Sequence, residues 1–291
     1  MTKQKEAYLY AVAAVLLWST AASAFKISLR YVDVLCLLFY SAVASTVVLF
    51  CCLLFQKKVG LLGKLAGRDY LHSAFLGCLN PFLYYVVLFK AYSLLPAQQA
   101  QPLNFVWPIT LVLLSIPLLK QKIKPRGVIA VVISFFGVYV ISTRGDIFGL
   151  RFASPTGVIL AVGSSVIWAV FWIYNVNDGR DEVVNLFLTF AFGSLFIFFA
   201  MLLFAKVEVP SLYGMLGAVY VGLFEMGITF LSWLKALKLS KTTAHVANLI
   251  YLVPFLSLVV IYFVVGEKIL VSTVIGILFI VGGIVLQNVS R

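Results

Sequence analysis

One acidic residue lies deep inside an apolar segment of the sequence. Nine of the ten Asp and Glu residues fall in polar breaks or near the ends of apolar runs, whereas Glu225 stands near the middle of the run 211–236. A charged side chain at the centre of a bilayer costs on the order of 2.5–3.5 kcal/mol on insertion scales. Two functions suit such a carboxylate: exchange of a coupling proton, and neutralisation of a cationic amine on a substrate. The structural alternative is a hydrogen bond to a neighbouring helix or to His245.

Two polar stripes interrupt other apolar runs, each with residues at i, i+3 and i+6. They are Gln98, Gln101 and Asn104 in the first stripe and His245, Asn248 and Tyr251 in the second. Residues at this spacing share one face of a helix, and lipid disfavours a polar face unless it is turned towards protein or water. We interpret the stripes as two sides of a solvated path. Hydrogen bonding between helices without transport is the alternative.

The tryptophans are the third signal, because membrane tryptophans normally collect at the two interfaces. Four of the five instead fall well inside apolar runs, and only Trp233 falls near an end. Aromatic walls bind flat apolar groups by stacking and cations through the π face, although plain helix packing is an alternative. The candidate substrate-binding residues are Trp18, Asn80, Tyr84, Gln101, Asn104, Trp107, Trp168, Trp172, Glu225, His245, Asn248 and Tyr251.

The composition shows what kind of element must position these residues. The chain has 291 residues, 63% hydrophobic and 11% charged, with a mean hydropathy of +1.09. Soluble domains have about 45–50% apolar and 25% charged residues, so we predict an all-α integral membrane protein. At about 20 residues per span, there is room for about ten helices. The predicted spans are 7–29, 34–55, 70–92, 97–118, 126–143, 154–176, 183–205, 211–236, 243–265 and 269–289.

The basic residues set the predicted orientation. The net charge is +12, but the Lys and Arg residues lie in short loops, which argues against a nucleic-acid partner. Fifteen of these 22 residues fall on one side of the predicted spans and seven on the other. The positive-inside rule then predicts a multi-pass protein of the cytoplasmic (inner) membrane with both termini in the cytoplasm. The four cysteines lie in apolar runs, without zinc-ligand spacing or a disulfide framework.

The chain also contains an internal repeat. LNFVWPITLVLLSIPLLKQKI at 103–123 aligns without gaps with LIYLVPFLSLVVIYFVVGEKI at 249–269, and LLWST at 16–20 resembles VIWAV at 166–170. We predict two five-helix repeats, 1–146 and 150–291. Because five is odd, the second repeat enters the membrane from the opposite side, and such inverted repeats permit alternating access. An offset of 145 residues makes Asn80 the counterpart of Glu225.

Several of these features together resemble a known family. They are a Trp-Ser or Trp-Ala pair in the first helix of each repeat, a Lys-Ala pair closing the third, a proline within the fourth, the turn Gly266-Glu267-Lys268 and a Gly-rich last helix with Gly276, Gly282 and Gly283. This pattern resembles the drug/metabolite transporter superfamily, in its ten-helix EamA-type branch. The first repeat departs from it, with Lys120-Gln121-Lys122 in place of the Gly-Glu-Lys turn. The resemblance implies a secondary transporter, often an exporter of amino acids or similar metabolites. It also implies a cavity surrounded by helices 1, 3, 4, 6, 8 and 9, with helices 5 and 10 at the periphery.

We therefore predict a secondary active transporter that exports amino acids or related amine-bearing amphipathic compounds by alternating access. Its expected partners are a small-molecule substrate, the lipid bilayer and the proton as candidate coupling ion, and we expect a monomer without cofactor, metal or catalytic residues. One alternative is an intramembrane enzyme using Glu225 and His245, but the sequence offers no oxyanion motif beside them. The other is a channel, for which we find no filter-like segment or charged ring. The sequence contains no Gly-Lys-Ser/Thr phosphate-binding loop, which argues against an ATP-driven pump.

Overall fold

The computed structural model describes residues 2–119, 125–149, 154–176, 178–205, 208–240 and 248–289. In these ranges the ordered elements are all helices. Seven helices are long and apolar enough to cross a membrane, and two shorter apolar helices, Leu249–Val265 and Val271–Leu286, accompany them. The prediction of an all-α membrane protein is confirmed.

We number the helices α1 to α10 in chain order. They are α1 (Lys3–Ser28), α2 (Val34–Phe55), α3 (Gly67–Gly77 and Tyr84–Leu94), α4 (Ala97–Asn104 and Trp107–Leu119), α5 (Pro125–Ser142), α6 (Pro155–Val176), α7 (Glu182–Phe204), α8 (Leu212–Tyr220 and Ile228–Leu239), α9 (Leu249–Val265) and α10 (Val271–Val289). Their ends lie within about four residues of the predicted spans, except that the predicted start of α9, residue 243, lies outside the described residues.

Aspartate caps explain where two of the longest apolar runs become helical. The Asp33 side chain accepts hydrogen bonds from the backbone N–H groups of Leu35 and Cys36 at the start of α2. Asp181 does the same for Val183 and Val184 at the start of α7. The first N–H groups of a helix have no partner within it, so these carboxylates satisfy donors that the membrane interface would otherwise leave unpaired.

Two helices, α3 and α8, change to a π-helical segment near mid-length. In α3 the segment is Cys78–Leu83, and Asn80 there has an extended conformation with φ −150° and ψ 121°. The following Pro81 accounts for this, because proline disfavours a helical conformation in the residue before it. In α8 the segment is Val221–Gly227 and contains no proline, but Gly227 departs from helical geometry with φ −95° and ψ −83°. Both segments leave backbone groups outside the regular helical ladder.

The helices α4 and α9 are also divided. The regular part of α4 stops at Asn104 and resumes at Trp107, with Pro108 as its second residue. In α9 a short 3₁₀ turn precedes the α-helical part Val253–Val260, whose second residue is Pro254. Proline is tolerated in the first turn of a helix and disrupts its interior, so both positions mark a new start.

Small residues bring α5 and α10 into close contact. A Cβ atom on Gly137 would lie 2.5 Å from the Gly276 carbonyl oxygen, and one on Gly276 would lie 2.8 Å from the Gly137 carbonyl oxygen. The Ser134 hydroxyl also donates to the carbonyl oxygen of Ile280, at 3.2 Å. In a bilayer, helices associate through such close backbone approach because lipid provides little hydrophobic driving force between them.

The other contacts assemble a core of helices beside this pair. The helix α1 packs against α8 and α9, and α6 packs against α3 and α4. Between them, α2 packs against α7 and α8, and α7 also packs against α3. The Thr46 and Ser194 hydroxyls join α2 to α7 with a 3.1 Å hydrogen bond. This arrangement directs one face of six helices towards a common centre.

Candidate functional site

A cavity of about 90 Å³ lies at that centre, between α1, α3, α4, α6, α8 and α9. One water molecule needs roughly 10–15 Å³ of such volume, so the cavity can hold several waters or part of a small organic molecule. These are the six helices that the family resemblance places around a cavity. The lining residues are Trp18, Ala21, Ala22, Phe25, Tyr84, Leu88, Tyr92, Gln101, Asn104, Phe105, Trp107, Trp168, Trp172, Glu225, Trp233, Ile250 and Val253.

All five tryptophans of the chain line this one cavity. Trp18 and Trp233 meet across α1 and α8, with ring centroids 5.5 Å apart. Trp168 and Trp172 lie one turn apart on α6, with centroids 5.8 Å apart, and Tyr84 lies against Trp168 at 4.6 Å. The cavity wall is therefore mainly aromatic and offers indole faces from several directions.

Phe230 packs against three of these rings without being part of the cavity lining. Its side chain is buried in the core, and its ring lies 6.2 Å from Trp18, 5.6 Å from Trp168 and 6.5 Å from Trp172, between centroids. Aromatic pairs at these separations are attractive beyond their buried area. Phe230 therefore supports the wall without lining it.

Glu225 is the acidic group of the cavity. It lies in the π-helical segment of α8, and its side chain is 7% exposed. The Tyr85 hydroxyl, from α3, donates a 3.1 Å hydrogen bond to Oε1, whereas Oε2 has no partner among the described residues. One carboxylate oxygen is thus held by the protein and the other is unpaired.

The predicted stripe on α4 divides between two roles. Asn104 is held on both sides, because its Oδ1 accepts from the Tyr84 hydroxyl at 3.3 Å and its Nδ2 donates to the Ser164 hydroxyl at 2.8 Å. Gln101 also lines the cavity, and its Oε1 has no partner among the described residues. Gln98, three residues earlier, instead donates to the Lys268 carbonyl oxygen at 2.8 Å.

Two charged side chains bind the turn between α3 and α4. Lys26 Nζ donates to the carbonyl oxygens of Tyr92 and Leu95, at 2.8 and 2.6 Å. The Glu267 carboxylate accepts from the first two N–H groups of α4, at 2.8 and 3.1 Å. Each charge thus satisfies backbone groups that a helix end leaves unpaired. We call Lys26, Glu267 and this turn the clasp.

A second polar cluster lies at the opposite end of the bundle. Arg180 donates to both carboxylate oxygens of Asp178, to Ser73 Oγ at 2.8 Å, to the Asp69 carbonyl oxygen at 2.9 Å and to Asn185 Oδ1 at 2.9 Å. Burial alone would raise the pKa of Asp178, but the hydrogen bonds and charge of Arg180 outweigh it and hold this pKa below its ordinary value. The cluster joins α3, α7 and the loop after α6.

The cavity brings together eight of the twelve predicted residues: Trp18, Tyr84, Gln101, Asn104, Trp107, Trp168, Trp172 and Glu225. Two lie elsewhere. Asn80 is fully buried outside the cavity wall, at the break in α3. The next residue, Pro81, packs on Gly193 of α7 and so directs this segment away from the cavity. Tyr251 is half-buried and does not line the cavity.

The remaining two predictions fall at or beyond the limits of the described residues. His245 lies outside them, and only the backbone of Asn248 is described. Three further residues line the cavity but were not among the predicted ones: Trp233, Phe25 and Tyr92. Trp233 was set apart by its place near a helix end. Within the described ranges there is no group of three His, Cys, Asp or Glu side chains that could hold a metal ion.

Comparisons with known proteins agree on one family. The model of the EamA-like transporter family matches residues 5–143 and again residues 155–289. An uncharacterized transporter of Archaeoglobus fulgidus is 24% identical over 280 residues, which cover 95% of both chains. The uncharacterized transporter YvbV of Bacillus subtilis is 30% identical over 228 residues, 75% of this chain and 71% of the relative.

Two further similarities concern cargo and fold. The aromatic amino acid exporter YddG of Ancylobacter novellus is 28% identical over 157 residues, 52% of this chain and 53% of the relative. A solved crystal structure superposes with a TM-score of 0.69 over 98% of this chain and 97% of that chain, at 24% identity. The second similarity shows the fold alone.

Proposed function

Because the chain belongs to the EamA-like transporter family, we propose that it is a secondary active transporter that exports small organic metabolites by alternating access. The cavity between six membrane helices, lined by all five tryptophans and by Glu225, carries this proposal. We assign amino acids or related amine-bearing amphipathic compounds as cargo. A relative is named an aromatic amino acid exporter, and aromatic walls with one carboxylate suit an aromatic amine.

The two-repeat organisation, 1–146 and 150–291, is part of the proposal. Exchanging α1–α5 with α6–α10 converts the contacts of α1 with α8 and α9 into those of α6 with α3 and α4, and all of these contacts are present. A π-helical segment lies near mid-length in the third helix of each half, and an aspartate cap begins the second helix of each half. The two matches of the family model, 5–143 and 155–289, support the same division.

Alternating access needs a barrier that forms on one side while the other side is open. The clasp supplies such a barrier, because Lys26 and Glu267 bind the turn that follows Tyr92, a lining residue. We use the positive-inside rule to place the protein in the cytoplasmic membrane with both termini in the cytoplasm. In this orientation the clasp lies on the outer side of the membrane. We assign the structure to a state closed towards the outside.

Glu225 is the residue to which we assign the amine of the cargo, with the proton as the coupling ion. Its unpaired Oε2 can accept from an ammonium group, and when the cargo leaves, a proton can take its place. Either occupant reduces the cost of burying this carboxylate, so binding of one favours release of the other. We propose a monomer as the working unit, since the six cavity helices come from one chain.

Flux in proteoliposomes containing only this protein tests the proposal. Vesicles loaded with unlabelled phenylalanine should accumulate external radiolabelled phenylalanine by saturable counterflow, and protein-free vesicles should not. Unitary currents would instead indicate a channel, and chemical conversion of the substrate without flux would indicate an enzyme. Absence of counterflow for phenylalanine and for the matched amines described below would overturn the carrier assignment.

A further inference from the structure

Two buried polar atoms of the cavity wall can accept a hydrogen bond from a ligand. Among the described lining residues, Glu225 Oε2 and Gln101 Oε1 are buried without a partner, and both are acceptors. Asn104 is not available in the same way, because Tyr84 and Ser164 already engage its amide. A buried acceptor without a partner costs free energy until a donor reaches it. A ligand with N–H groups therefore fits this wall better than one that only accepts.

The charge of the wall points in the same direction. Glu225 is the one ionisable acid or base among the described lining residues apart from the tyrosines, and no Lys or Arg side chain is part of it. Lys26 donates to backbone carbonyl oxygens at the clasp instead. A substrate carboxylate would find only neutral donors here and would lie near an existing carboxylate. Burying a charge without an opposite partner is unfavourable. The carboxylate of a zwitterion would therefore lower the free energy gained on binding.

The aromatic residues add a second preference for positive charge. Cations are attracted to the face of an aromatic ring, most strongly to indole, and the attraction is larger where water is excluded. All five indoles of the chain lie around one cavity that also holds one carboxylate. An anion would meet the negative faces of the same rings.

We propose that the cavity selects a lipophilic organic monocation that has N–H donors and no free carboxylate, such as an arylalkylamine. Its cationic head is held by Glu225 and Gln101, and its apolar part lies against the tryptophans. This inference rests on the proposed function, because it names the class of cargo for the same cavity. It departs from the amino acid that the relative YddG is named for.

Intrinsic fluorescence measures binding directly, because every tryptophan of the chain lines the cavity. Phenethylamine, phenylalanine and 3-phenylpropionate share a phenyl ring and a two-carbon spacer and differ in charge. We expect phenethylamine to bind at least about tenfold more tightly than phenylalanine, and 3-phenylpropionate to bind most weakly. Equal or tighter binding of phenylalanine would overturn the inference, and this ranking needs no variant.

Glu225→Gln tests the cause of the ranking. It should weaken phenethylamine binding by at least about tenfold and remove the preference over phenylalanine. Glu208→Gln is the matched control, since it removes a carboxylate from an exposed position between α7 and α8. A Glu225→Gln protein that keeps the full preference would overturn the role of the carboxylate. Glu225→Asp, which retains the charge, should keep the preference and serves if the glutamine variant does not fold.

Flux separates this inference from the carrier proposal. 2-Phenylethylguanidine stays charged at neutral pH, keeps N–H donors and does not cross protein-free vesicles, so its counterflow can be compared with that of phenylalanine. Faster counterflow of the guanidine supports the inference. Counterflow of phenylalanine alone would overturn the inference and leave the carrier proposal standing. Selective binding of the cations without any flux would overturn the carrier proposal and leave the binding preference standing.

Discussion

The Tyr85 hydroxyl donates a 3.1 Å hydrogen bond to Glu225 Oε1, and so joins α3 to the π-helical segment of α8. Tyr85 is fully buried, and Glu225 is 7% exposed. The bond therefore holds one carboxylate oxygen in place, whereas the other, Oε2, has no partner among the residues that the structure describes.

Tyr85→Phe should lower stability by about 1.5–3 kcal/mol, the usual worth of a hydrogen bond to a charged group. In the double variant with Glu225→Gln, the loss should be smaller than the sum of the two single losses, because the glutamine replaces the charged acceptor of the same hydrogen bond with a weaker, neutral one. Thermal unfolding in detergent, followed by tryptophan fluorescence, measures all three proteins. Strict additivity of the two losses would show that the hydrogen bond contributes little.

Gly137→Ala should destabilise the α5–α10 contact by about 1–3 kcal/mol, because its Cβ would lie 2.5 Å from a backbone oxygen that cannot move aside. Gly282→Ala is the matched control on α10, since a Cβ there meets nothing within 4 Å. Helix propensity predicts that the control gains up to about 1 kcal/mol. Thermal unfolding compares the two, and equal melting temperatures would contradict the close approach of Gly137 to Gly276.

Stability should fall in acid through Asp178. The pKa of this carboxylate is lower in the folded protein than in the unfolded chain, so it stabilises the fold at pH values above its unfolded pKa of about 3.9. That stabilisation is lost as the pH falls through the lower, folded pKa. Melting temperatures measured from pH 6 to pH 3 should drop in the parent and drop less in Asp178→Asn. Parallel curves for the two proteins would show that Arg180 does not stabilise the charged form.

Weakening the clasp should open the outer side of the cavity. Glu267→Gln removes the charge that caps α4, and a cap is worth about 1–2 kcal/mol, so the outward-open population should rise about five- to thirtyfold. The readout is labelling of Gln101→Cys by a membrane-impermeant maleimide in right-side-out vesicles, after replacement of the four native cysteines. Glu208→Gln, at the same end of the bundle, is the control and should label like the parent. Unchanged labelling in Glu267→Gln would remove the clasp as a barrier.

Access from the two sides should also depend on cargo. Cysteine at Gln101 should be labelled from the outside and cysteine at Asn248 from the inside, in states that exclude one another. Added cargo should change the two rates in opposite directions, because it shifts the population between the two states. Identical rates at both positions, with and without cargo, would contradict alternating access.

The helices were predictable because lipid imposes a simple requirement on sequence. Each span needs about 20 apolar residues, and Asp33 and Asp181 mark the beginning of two of them in a way that the sequence displays. Glu225 was identifiable for the same reason, since a carboxylate in the middle of an apolar run is unfavourable. The aromatic wall was partly predictable, because Trp18 and Trp168 fall where membrane tryptophans are uncommon.

Other features depend on contacts that a sequence does not display. The interruption of α8 has no proline, so nothing local predicted it. Trp233 falls near a helix end, where tryptophan is ordinary, and only the packing of α8 against α1 turns it towards Trp18. Arg180 falls in a loop, yet its side chain hydrogen-bonds to three separate segments of the chain. Asn80 was predicted as the counterpart of Glu225 at the repeat offset, but the structure buries it outside the cavity wall.

The Oε2 atom of Glu225, which has no partner within the described ranges, also affects how fast the empty protein can return to its starting state. A carrier that has released its cargo and has not bound a proton must move this charged carboxylate back through a low-dielectric interior. The loaded journey lacks this penalty, because the cargo itself supplies the opposite charge. When no proton replaces the cargo, turnover is limited by the unloaded half of the cycle, and exchange of one cargo molecule for another is faster than net transport. The same cost makes the empty protein switch less often between its two access states.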